Sequence, residues 1–502
     1  MKFINLFFTC FIFYTASVAQ SNTVYHEQYR PQIHFSPQAH WMNDPNGMVY
    51  NDGVYHLFFQ YYPDSTVWGP MHWGHATSTD LIHWHQQPVA LYPDSLGYIF
   101  SGSAVVDKNN TSGFGKNGIA PLVAIFTHHD PVGEKAARNN FQNQSIAYSL
   151  DNGKSWTKYA GNPVLRNPGI TDFRDPKVMW YEPQKKWVMT LAVKDHISFY
   201  SSPDLKNWKQ ESEFGKDIGA HGGVWECPDL FILNDKGKEV WVLIVNLNPG
   251  GPNGGSATQY FIGDFDGKTF TPGNTNTKWL DYGPDEYAGV TWSNTGDRKI
   301  FLGWMSNWLY ANLVPTIKWR NAMTVPRELK IKHAGNDIFI ASEPVTELNK
   351  IESKHVVLNN TNVDRNFDLS SKIKTTFPCK LDVSFNKANN FSIVLSNDAG
   401  EKLLIGYDKE QNQYFIDRTQ SGKADFQKDF AAKHISPRLS NADTMNLSLI
   451  IDVSSVELFA DDGLSVMTEI FFPTKPYNHI AIQSAENIVI NKLAYSALKS
   501  IW

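Results

Sequence analysis

A short pattern of serine, aspartate and an aromatic residue recurs along the first half of the chain. It constrains the possible folds more than any other feature of the sequence. The copies are Ser78–Trp84 (STDLIHW), Ser149–Trp156 (SLDNGKSW), Ser202–Trp208 (SPDLKNW) and, more loosely, Gly263–Phe270 (GDFDGKTF). Each copy fits a hairpin that turns at the aspartate and closes on the aromatic ring. The copies lie about 50 to 70 residues apart, the spacing of propeller blades. Coincidence among common turn residues is the alternative explanation.

The pattern of strands around these turns indicates an all-β chain of two domains. Residues 35–340 read as short strands between Gly, Pro, Asn and Asp turns, and about 300 residues at this period predict five blades. Beyond residue 340 the repeat ends, and alternating strands such as Asn446–Val453 indicate a β-sandwich. We predict a five-bladed β-propeller over residues 20–340, a linker over 341–351 and a C-terminal β-sandwich over 352–502. The sandwich either binds sugar or braces the propeller, and the absence of an aromatic ladder favours the brace.

The N-terminus has the composition of a secretory signal. Lys2 supplies the charge, Ile4–Tyr14 the apolar segment and Ser17–Ala19 the small residues before cleavage, which predicts a signal peptide over residues 1–19. The apolar segment is too short to span a bilayer, and no later segment is long enough. We therefore predict an exported protein, periplasmic or extracellular, with no membrane attachment after cleavage. Lipid attachment at Cys10 is a minor alternative.

Charge and cysteine content narrow the partners further. The chain of 502 residues carries 45 Lys+Arg against 50 Asp+Glu and has no basic stripe. We therefore predict that it does not bind nucleic acid. After signal cleavage only Cys227 and Cys379 remain, which we interpret as two buried thiols rather than a disulfide. We expect a monomer or weak homo-oligomer.

Three acidic residues occur in unusual surroundings. Asp44 lies in Trp41–Gly47 (WMNDPNG), whose composition predicts a rigid polar turn that presents a nucleophile. An ordinary exposed turn is the alternative. Asp175 follows Arg174, whose guanidinium, if it turned toward the carboxylate, would hold it ionised at neutral pH, although a structural ion pair would have the same sequence.

Glu226 follows Trp225 and precedes Cys227, and such low-polarity surroundings would keep a carboxyl protonated. One ionised and one protonated carboxyl group are what glycosidic cleavage requires. Since each blade of a propeller brings one strand to the axis, residues this far apart in sequence can meet in a single funnel.

Two other motifs do not point to cofactor chemistry. Histidines cluster at His72–His75, His83–His85 and His128–His129, but no Cys or carboxylate lies at a ligand-like spacing, so we predict no metal and no cofactor. The glycine-rich run Gly250–Gly255 lacks the GK[ST] of a phosphate loop and is interpreted as a flexible loop.

These segments together resemble glycoside hydrolase family 32, the retaining β-fructofuranosidases that include invertases, inulinases and levanases. The specific combination is WMNDPNG, then FRDP at Phe173–Pro176 and WECPD at Trp225–Asp229. Further similar segments extend over nearly all of the chain after the signal: Phe58–Pro63, Trp68–His75, Phe100–Ser103, Gly303–Trp308, Trp319–Leu329, Phe415–Thr419 and Val456–Gly463. The family fold that the resemblance implies, a five-bladed propeller with a sandwich behind it, agrees with the organisation predicted above.

The resemblance also implies a role for individual residues. Asp44 would be the nucleophile that attacks the anomeric carbon of a fructosyl unit, Glu226 the general acid and then base, and Asp175 the transition-state stabiliser. The substrate contacts implied are Asn43, Gln60, Trp68, Ser103, Arg174 and Trp304. Two departures, Tyr62 in place of Asn and Glu286 in place of an aromatic residue, would affect the leaving-group preference.

Within the family, the Gly303–Trp308 segment resembles that of exo-acting microbial enzymes. The expected activity is release of terminal fructose from β-2,1 or β-2,6 fructans and from sucrose. An endo-levanase and a fructosyltransferase share this chemistry and remain alternatives. A carbohydrate-binding protein with a vestigial site is a further alternative, which retention of all three carboxylates disfavours.

Overall fold

The structure is a computed structural model that describes residues 25–387 and 389–502. The predicted signal peptide and Cys10 lie outside the described residues. The all-β prediction is confirmed, because the helices of the described residues are only α1 (Pro131–Lys135) and the 3₁₀ turns Glu182–Gln184 and Thr346–Ile351. None of these helices is long and apolar enough to span a membrane.

Five mainly antiparallel sheets succeed one another along residues 40–344. The first contains β1 (His40–Asn51), β2 (Val54–Tyr62), β3 (His72–Ser78) and β4 (His85–Leu91). The second contains β5 (Tyr98–Val106), β6 (Leu122–His129), β7 (Gln142–Ser149) and β8 (Thr157–Lys158). The third contains β9 (Phe173–Tyr181), β10 (Lys186–Val193), β11 (His196–Ser202) and β12 (Lys209–Phe214).

The fourth sheet contains β13 (Val224–Asp235), β14 (Lys238–Asn248), β15 (Ala257–Phe265), β16 (Phe270–Pro272) and β17 (Lys278–Trp279). The fifth sheet contains β18 (Tyr287–Thr291), β19 (Ile300–Met305), β22 (Arg327–Ala334) and β23 (Asp337–Pro344), and the two-residue strand β21 (Ala322–Met323) pairs with β19. The two-residue strand β20 (Trp319–Arg320) belongs to the first sheet, where it runs parallel to β1.

The leading strands of the five sheets form a closed ring. β1 contacts β5, β5 contacts β9, β9 contacts β13, β13 contacts β18, and β18 returns to β1. The sheets therefore radiate from a common axis as the blades of a five-bladed propeller. Each blade brings one strand to that axis, so residues on β1, β9 and β13 can face the same space.

The recurrent sequence pattern forms the same turn in three blades. Ser78 Oγ donates to Asp80 Oδ1 at 3.2 Å, and the equivalent bonds are 2.8 Å from Ser149 to Asp151 and 3.1 Å from Ser202 to Asp204. The closing indoles of Trp84, Trp156 and Trp208 each donate to a carbonyl of their own turn, at 3.0, 3.2 and 3.0 Å. This shared geometry joins the third and fourth strands of the first three blades, so the pattern is a structural repeat and not a coincidence.

The C-terminal region is a sandwich of two six-stranded sheets around one apolar core. One sheet has the order β24 (Glu352–Val363), β35 (Ile488–Leu498), β26 (Cys379–Phe385), β31 (Met445–Ile451), β32 (Ser455–Ala460) and β33 (Ser465–Ile470). The other has the order β25 (Asn366–Asp368), β34 (His479–Gln483), β27 (Phe391–Ser396), β28 (Lys402–Asp408), β29 (Gln413–Gln420) and β30 (Lys433–Pro437). Cys227 and Cys379 are both buried free thiols, as predicted.

Buried charges join the sandwich to the propeller. Arg327 of β22 is inaccessible to solvent and donates to Glu457 of β32 at 3.0 Å and to Asp281 at 2.9 Å. Removing one partner from such a contact leaves an uncompensated buried charge, so the two domains are tightly coupled.

Candidate active site

Asp44 lies on a bulge of the innermost strand of the first blade. The pairing of β1 with β2 loses its register between Met42 and Pro45, which turns Asp44 out of the regular ladder. Gly47 has a φ of +57°, and a Cβ there would lie 2.6 Å from the Trp73 ring, so glycine is required. WMNDPNG is thus a bulged strand and not the turn that its composition predicted.

Two side chains fix the Asp44 carboxylate. Ser101 Oγ donates to Oδ2 at 2.7 Å, and Asn43 Nδ2 donates to Oδ1 at 2.8 Å. Trp41 Nε1 in turn donates to Asn43 Oδ1 at 2.7 Å. Burial and the charge of Glu226 raise the pKa of Asp44, and the two hydrogen bonds oppose that shift.

Asp175 is the third residue of β9, the innermost strand of the third blade, and has a φ of +64°. Its Oδ2 accepts a hydrogen bond from the Cys227 backbone N–H at 3.0 Å, whereas the guanidinium of Arg174 is 4.0 Å away. Burial raises the pKa of Asp175 to about 7, with Arg174 opposing and Glu226 and Asp44 reinforcing the shift. The guanidinium turns mainly toward other carboxylates, so the ion pair with Asp175 on which the prediction depends is only a 4.0 Å contact.

Those other carboxylates are Glu226 and Asp172. Arg174 Nη2 and Nε donate to Glu226 Oε1 at 2.9 and 3.2 Å, and its Nη1 lies 2.5 Å from Asp172 Oδ1. The Tyr287 hydroxyl donates to the other oxygen of Glu226, Oε2. Burial, with the charge of Glu226, raises the pKa of Tyr287 well above its usual value, so the phenol stays protonated and acts as the donor.

The surroundings of Glu226 are therefore more polar than the sequence predicted. Trp225 turns away into the apolar core between the third and fourth blades, where its Nε1 donates to Ala220 O at 2.9 Å. Alternate residues of a strand face opposite sides, so the indole next to Glu226 in sequence is not next to it in space.

The three carboxylates surround one cavity of about 310 Å³ at the propeller axis. The thiol of Cys227 lies between two of them, with Sγ 3.5 Å from Asp44 Oδ2 and 3.7 Å from Asp175 Oδ2. The predicted residues that line this cavity are Asn43, Asp44, Gln60, Trp68, Arg174, Asp175 and Glu226. The residues that sequence reasoning did not assign to it include Phe100, Ser101, His129 and Trp308.

Two predicted substrate contacts do not reach the cavity. Ser103 lies two residues beyond Ser101 on β5 and bonds across to β9, donating to Pro176 O at 3.0 Å and accepting from Val178 N at 3.0 Å. Trp304 is inaccessible to solvent and lies behind Trp308, with 4.9 Å between ring centroids. Both residues support the cavity wall from behind instead of facing a substrate.

The two departures from the family pattern also lie away from the cavity. A Cβ at Gly69 would lie 2.4 Å from the Tyr62 ring, so Tyr62 packs beneath the loop that carries Trp68. Glu286 is completely buried, and neither of its carboxyl oxygens has a hydrogen-bond partner among the described residues. Neither side chain lines the cavity, so no direct contact with a substrate there supports the predicted effect on leaving-group preference.

Replacing Glu286 with Gln is expected to stabilise the protein in neutral and alkaline solution. Burial raises the pKa of Glu286 from 4.5 to about 8, with Asp281 reinforcing and Arg327 opposing the shift. Unfolding therefore releases a proton between these values, and the wild type loses stability as pH rises through that range. The advantage of the variant should grow from about pH 4.5 to a plateau above about pH 8, on the order of a few kcal/mol. Thermal unfolding of both proteins across this range measures it, and a pH-independent difference in Tm would contradict the assignment.

Comparison with known proteins agrees with this geometry. Residues 34–342 match the model of the glycosyl hydrolases family 32 N-terminal domain, and residues 345–497 match that of the family 32 C-terminal domain. The chain is 46% identical over 507 residues to a levanase of Bacillus subtilis, covering 96% of this chain and 72% of that protein. It is 43% identical over 497 residues to an extracellular exo-inulinase of Aspergillus niger, covering 92% of each.

Solved structures give the same relationship. The crystal structure of an exo-inulinase from Aspergillus awamori superimposes with a TM-score of 0.86 at 39% identity, covering 95% of this chain and all of that one. The propeller with its carboxylate-lined axial cavity is thus that of a glycoside hydrolase. More narrowly, the chain belongs to glycosyl hydrolase family 32.

Proposed function

We propose that this enzyme releases terminal fructose from fructans and from sucrose through a covalent fructosyl-enzyme. The observation that carries the proposal is the convergence of Asp44, Asp175 and Glu226 on one small cavity. The names of its relatives, levanase and exo-inulinase, support fructans as the substrate class. Two carboxyl groups that flank one bond are the machinery of retaining glycoside hydrolysis.

Asp44 is the nucleophile in this proposal. Its carboxylate attacks the anomeric carbon, the bond to the leaving oxygen breaks, and a fructosyl ester forms on Asp44. The donors Ser101 and Asn43 support this role because they hold the carboxylate in one orientation. In the second step water attacks the same carbon and returns Asp44 as the free carboxylate.

Glu226 is the acid and then the base. It gives its proton to the leaving oxygen in the first step and takes one from the attacking water in the second. Arg174 and Tyr287 support the role, since each holds a different oxygen of the carboxyl group. Asp175 accepts hydrogen bonds from ring hydroxyls and stabilises the positive charge that develops on the sugar ring.

The shape of the cavity favours exo action. A volume of about 310 Å³ is at the lower limit for ligand pockets and suits a chain end better than the middle of a polymer. Behind the cavity wall, Ser103 bonds β5 to β9. We further propose that the protein acts after export. The Aspergillus niger relative, which is named an extracellular exo-inulinase, supports this proposal.

Product analysis tests the proposal. The purified protein is incubated with sucrose, inulin and levan, and early products are separated by chromatography. Free fructose should be the only early product from both fructans, with glucose as well from sucrose. Oligosaccharides without fructose would indicate an endo-enzyme, products longer than the substrate a fructosyltransferase, and no product from any substrate would contradict the proposed function.

A further inference from the structure

The sandwich holds one segment of the propeller next to the active site. The segment Asp281–Asp285, just before β18, lies along β33 at the edge of a sandwich sheet. Tyr282 N donates to Val466 O at 2.8 Å, and Asp285 N donates to Thr468 O at 3.2 Å. An edge strand has free backbone groups for such pairing, so the sandwich holds this segment in place up to Asp285, two residues before β18 begins.

One arginine of the sandwich secures the end of that segment. Arg418 on β29 is inaccessible to solvent, and its Nη1 lies 2.6 Å from Asp285 Oδ2 and 3.0 Å from Glu469 Oε2. Its Nη2 donates to the Tyr310 hydroxyl at 3.0 Å, and that hydroxyl donates to the other oxygen of Asp285. The guanidinium therefore connects two pieces of the propeller through a single buried cluster.

Both of those pieces reach the active site within two residues of the cluster. Asp285 is followed two residues later by Tyr287, whose hydroxyl donates to Glu226. Tyr310 is preceded two residues earlier by Trp308, which lines the cavity. A displacement of Asp285 or Tyr310 would move these groups, because two residues of strand or tight turn transmit a shift almost rigidly.

We propose that Arg418 of the sandwich is a positioning residue for catalysis, which orients the Tyr287 hydroxyl against Glu226 through Asp285 and the Trp308 wall through Tyr310. The inference rests on the proposed role of Glu226 as the general acid. It gives the C-terminal domain a part in the reaction, in addition to bracing the propeller. A purely structural arginine would affect all substrates equally, whereas a residue that positions the acid affects most those substrates that need protonation.

Two substrates separate these roles. Sucrose needs a proton on its leaving oxygen, while the fluoride of β-D-fructofuranosyl fluoride departs with little help from an acid. In Arg418→Gln we expect kcat/KM for sucrose to fall about 10- to 100-fold, the usual cost of a small misplacement. For the fluoride we expect a fall of less than about threefold.

Matched variants complete the experiment. Arg438→Gln is the control, because Arg438 forms a buried pair with Asp461 at 2.9 Å inside the sandwich, and it should leave the ratio of the two activities unchanged. Tyr287→Phe should reproduce the Arg418→Gln signature. The double variant Arg418→Gln/Tyr287→Phe should be scarcely worse than either single variant, because both remove the same interaction.

Equal losses on both substrates in Arg418→Gln, or unchanged activity in the folded variant, would overturn the inference. If thermal unfolding shows that Arg418→Gln does not fold, Tyr310→Phe decides, since it removes the bridging hydroxyl without exposing a charge. The same selective loss on sucrose supports the inference, and an equal loss on both substrates or none contradicts it. A wild-type enzyme that hydrolyses neither substrate would contradict the proposed function and not this inference alone.

Discussion

Asp44→Ala is expected to lower the rate of fructose release from sucrose, inulin and levan by at least about 10⁴-fold, because no covalent intermediate can form without the carboxylate. Asp44 bulges from β1 into the cavity, where Ser101 and Asn43 bind its two oxygens. No other carboxylate lies on that strand near the cavity, and Asp175 accepts its own hydrogen bond from Cys227. Initial rates with each substrate measure the loss.

Asp44→Asn is the matched control for that variant. It keeps the size of the side chain and an oxygen that can accept from Ser101, so the cavity retains its shape. We expect the same loss of activity and only a modest loss of thermal stability, since the hydrogen bond from Ser101 is kept and only the one from Asn43 Nδ2, which would face the new amide NH2 group, is lost. A folded Asn variant that still releases fructose at a wild-type rate would show that Asp44 is not the nucleophile.

Glu226→Ala is expected to lower the rate of sucrose hydrolysis by about 10²- to 10⁴-fold, the usual contribution of a general acid. The first step with β-D-fructofuranosyl fluoride should be largely spared, because fluoride needs little protonation. The cavity left by the missing carboxyl group, between Arg174 and Tyr287, should accept azide, and Arg174 supplies a positive charge for it. Azide should therefore restore turnover of the fluoride and produce fructosyl azide.

The stereochemistry of that azide is diagnostic. A retaining mechanism places azide on the face that the leaving group occupied, so the β-anomer is expected. The α-anomer would mean direct displacement and would remove Asp44 from the reaction as a nucleophile. Equal losses on sucrose and the fluoride, with no azide effect, would indicate that Glu226 is structural.

The propeller could be predicted from sequence because its signal is local. The bonds from Ser78 to Asp80 and from Trp84 to its own turn form within seven residues, so each copy carries its geometry in its own sequence. The convergence of Asp44 and Glu226 could also be predicted, since a propeller brings one strand of every blade to its axis.

The environment of each carboxyl group could not be predicted from its sequence neighbours. Arg174 precedes Asp175 but binds Glu226, and Trp225 precedes Glu226 but packs into the core between two blades. Tyr287, which donates to Glu226, lies about 60 residues away in sequence on another blade. Only its expected position on an innermost strand near the axis could have pointed to it. The pKa of Asp175 likewise depends on burial, which adjacent residues do not reveal.

The central claim is that a fructosyl group becomes attached to Asp44, and trapping that adduct tests it most directly. The Glu226→Gln variant can form the fructosyl ester but lacks the base to hydrolyse it quickly. It is mixed with β-D-fructofuranosyl fluoride, and the reaction is quenched in acid. Peptide mass spectrometry should find one added anhydro-fructose on the peptide that contains Asp44, and Asp44→Asn/Glu226→Gln should show none. An adduct on Asp175 or another residue, or turnover of the fluoride without any adduct in the single variant, would contradict the account.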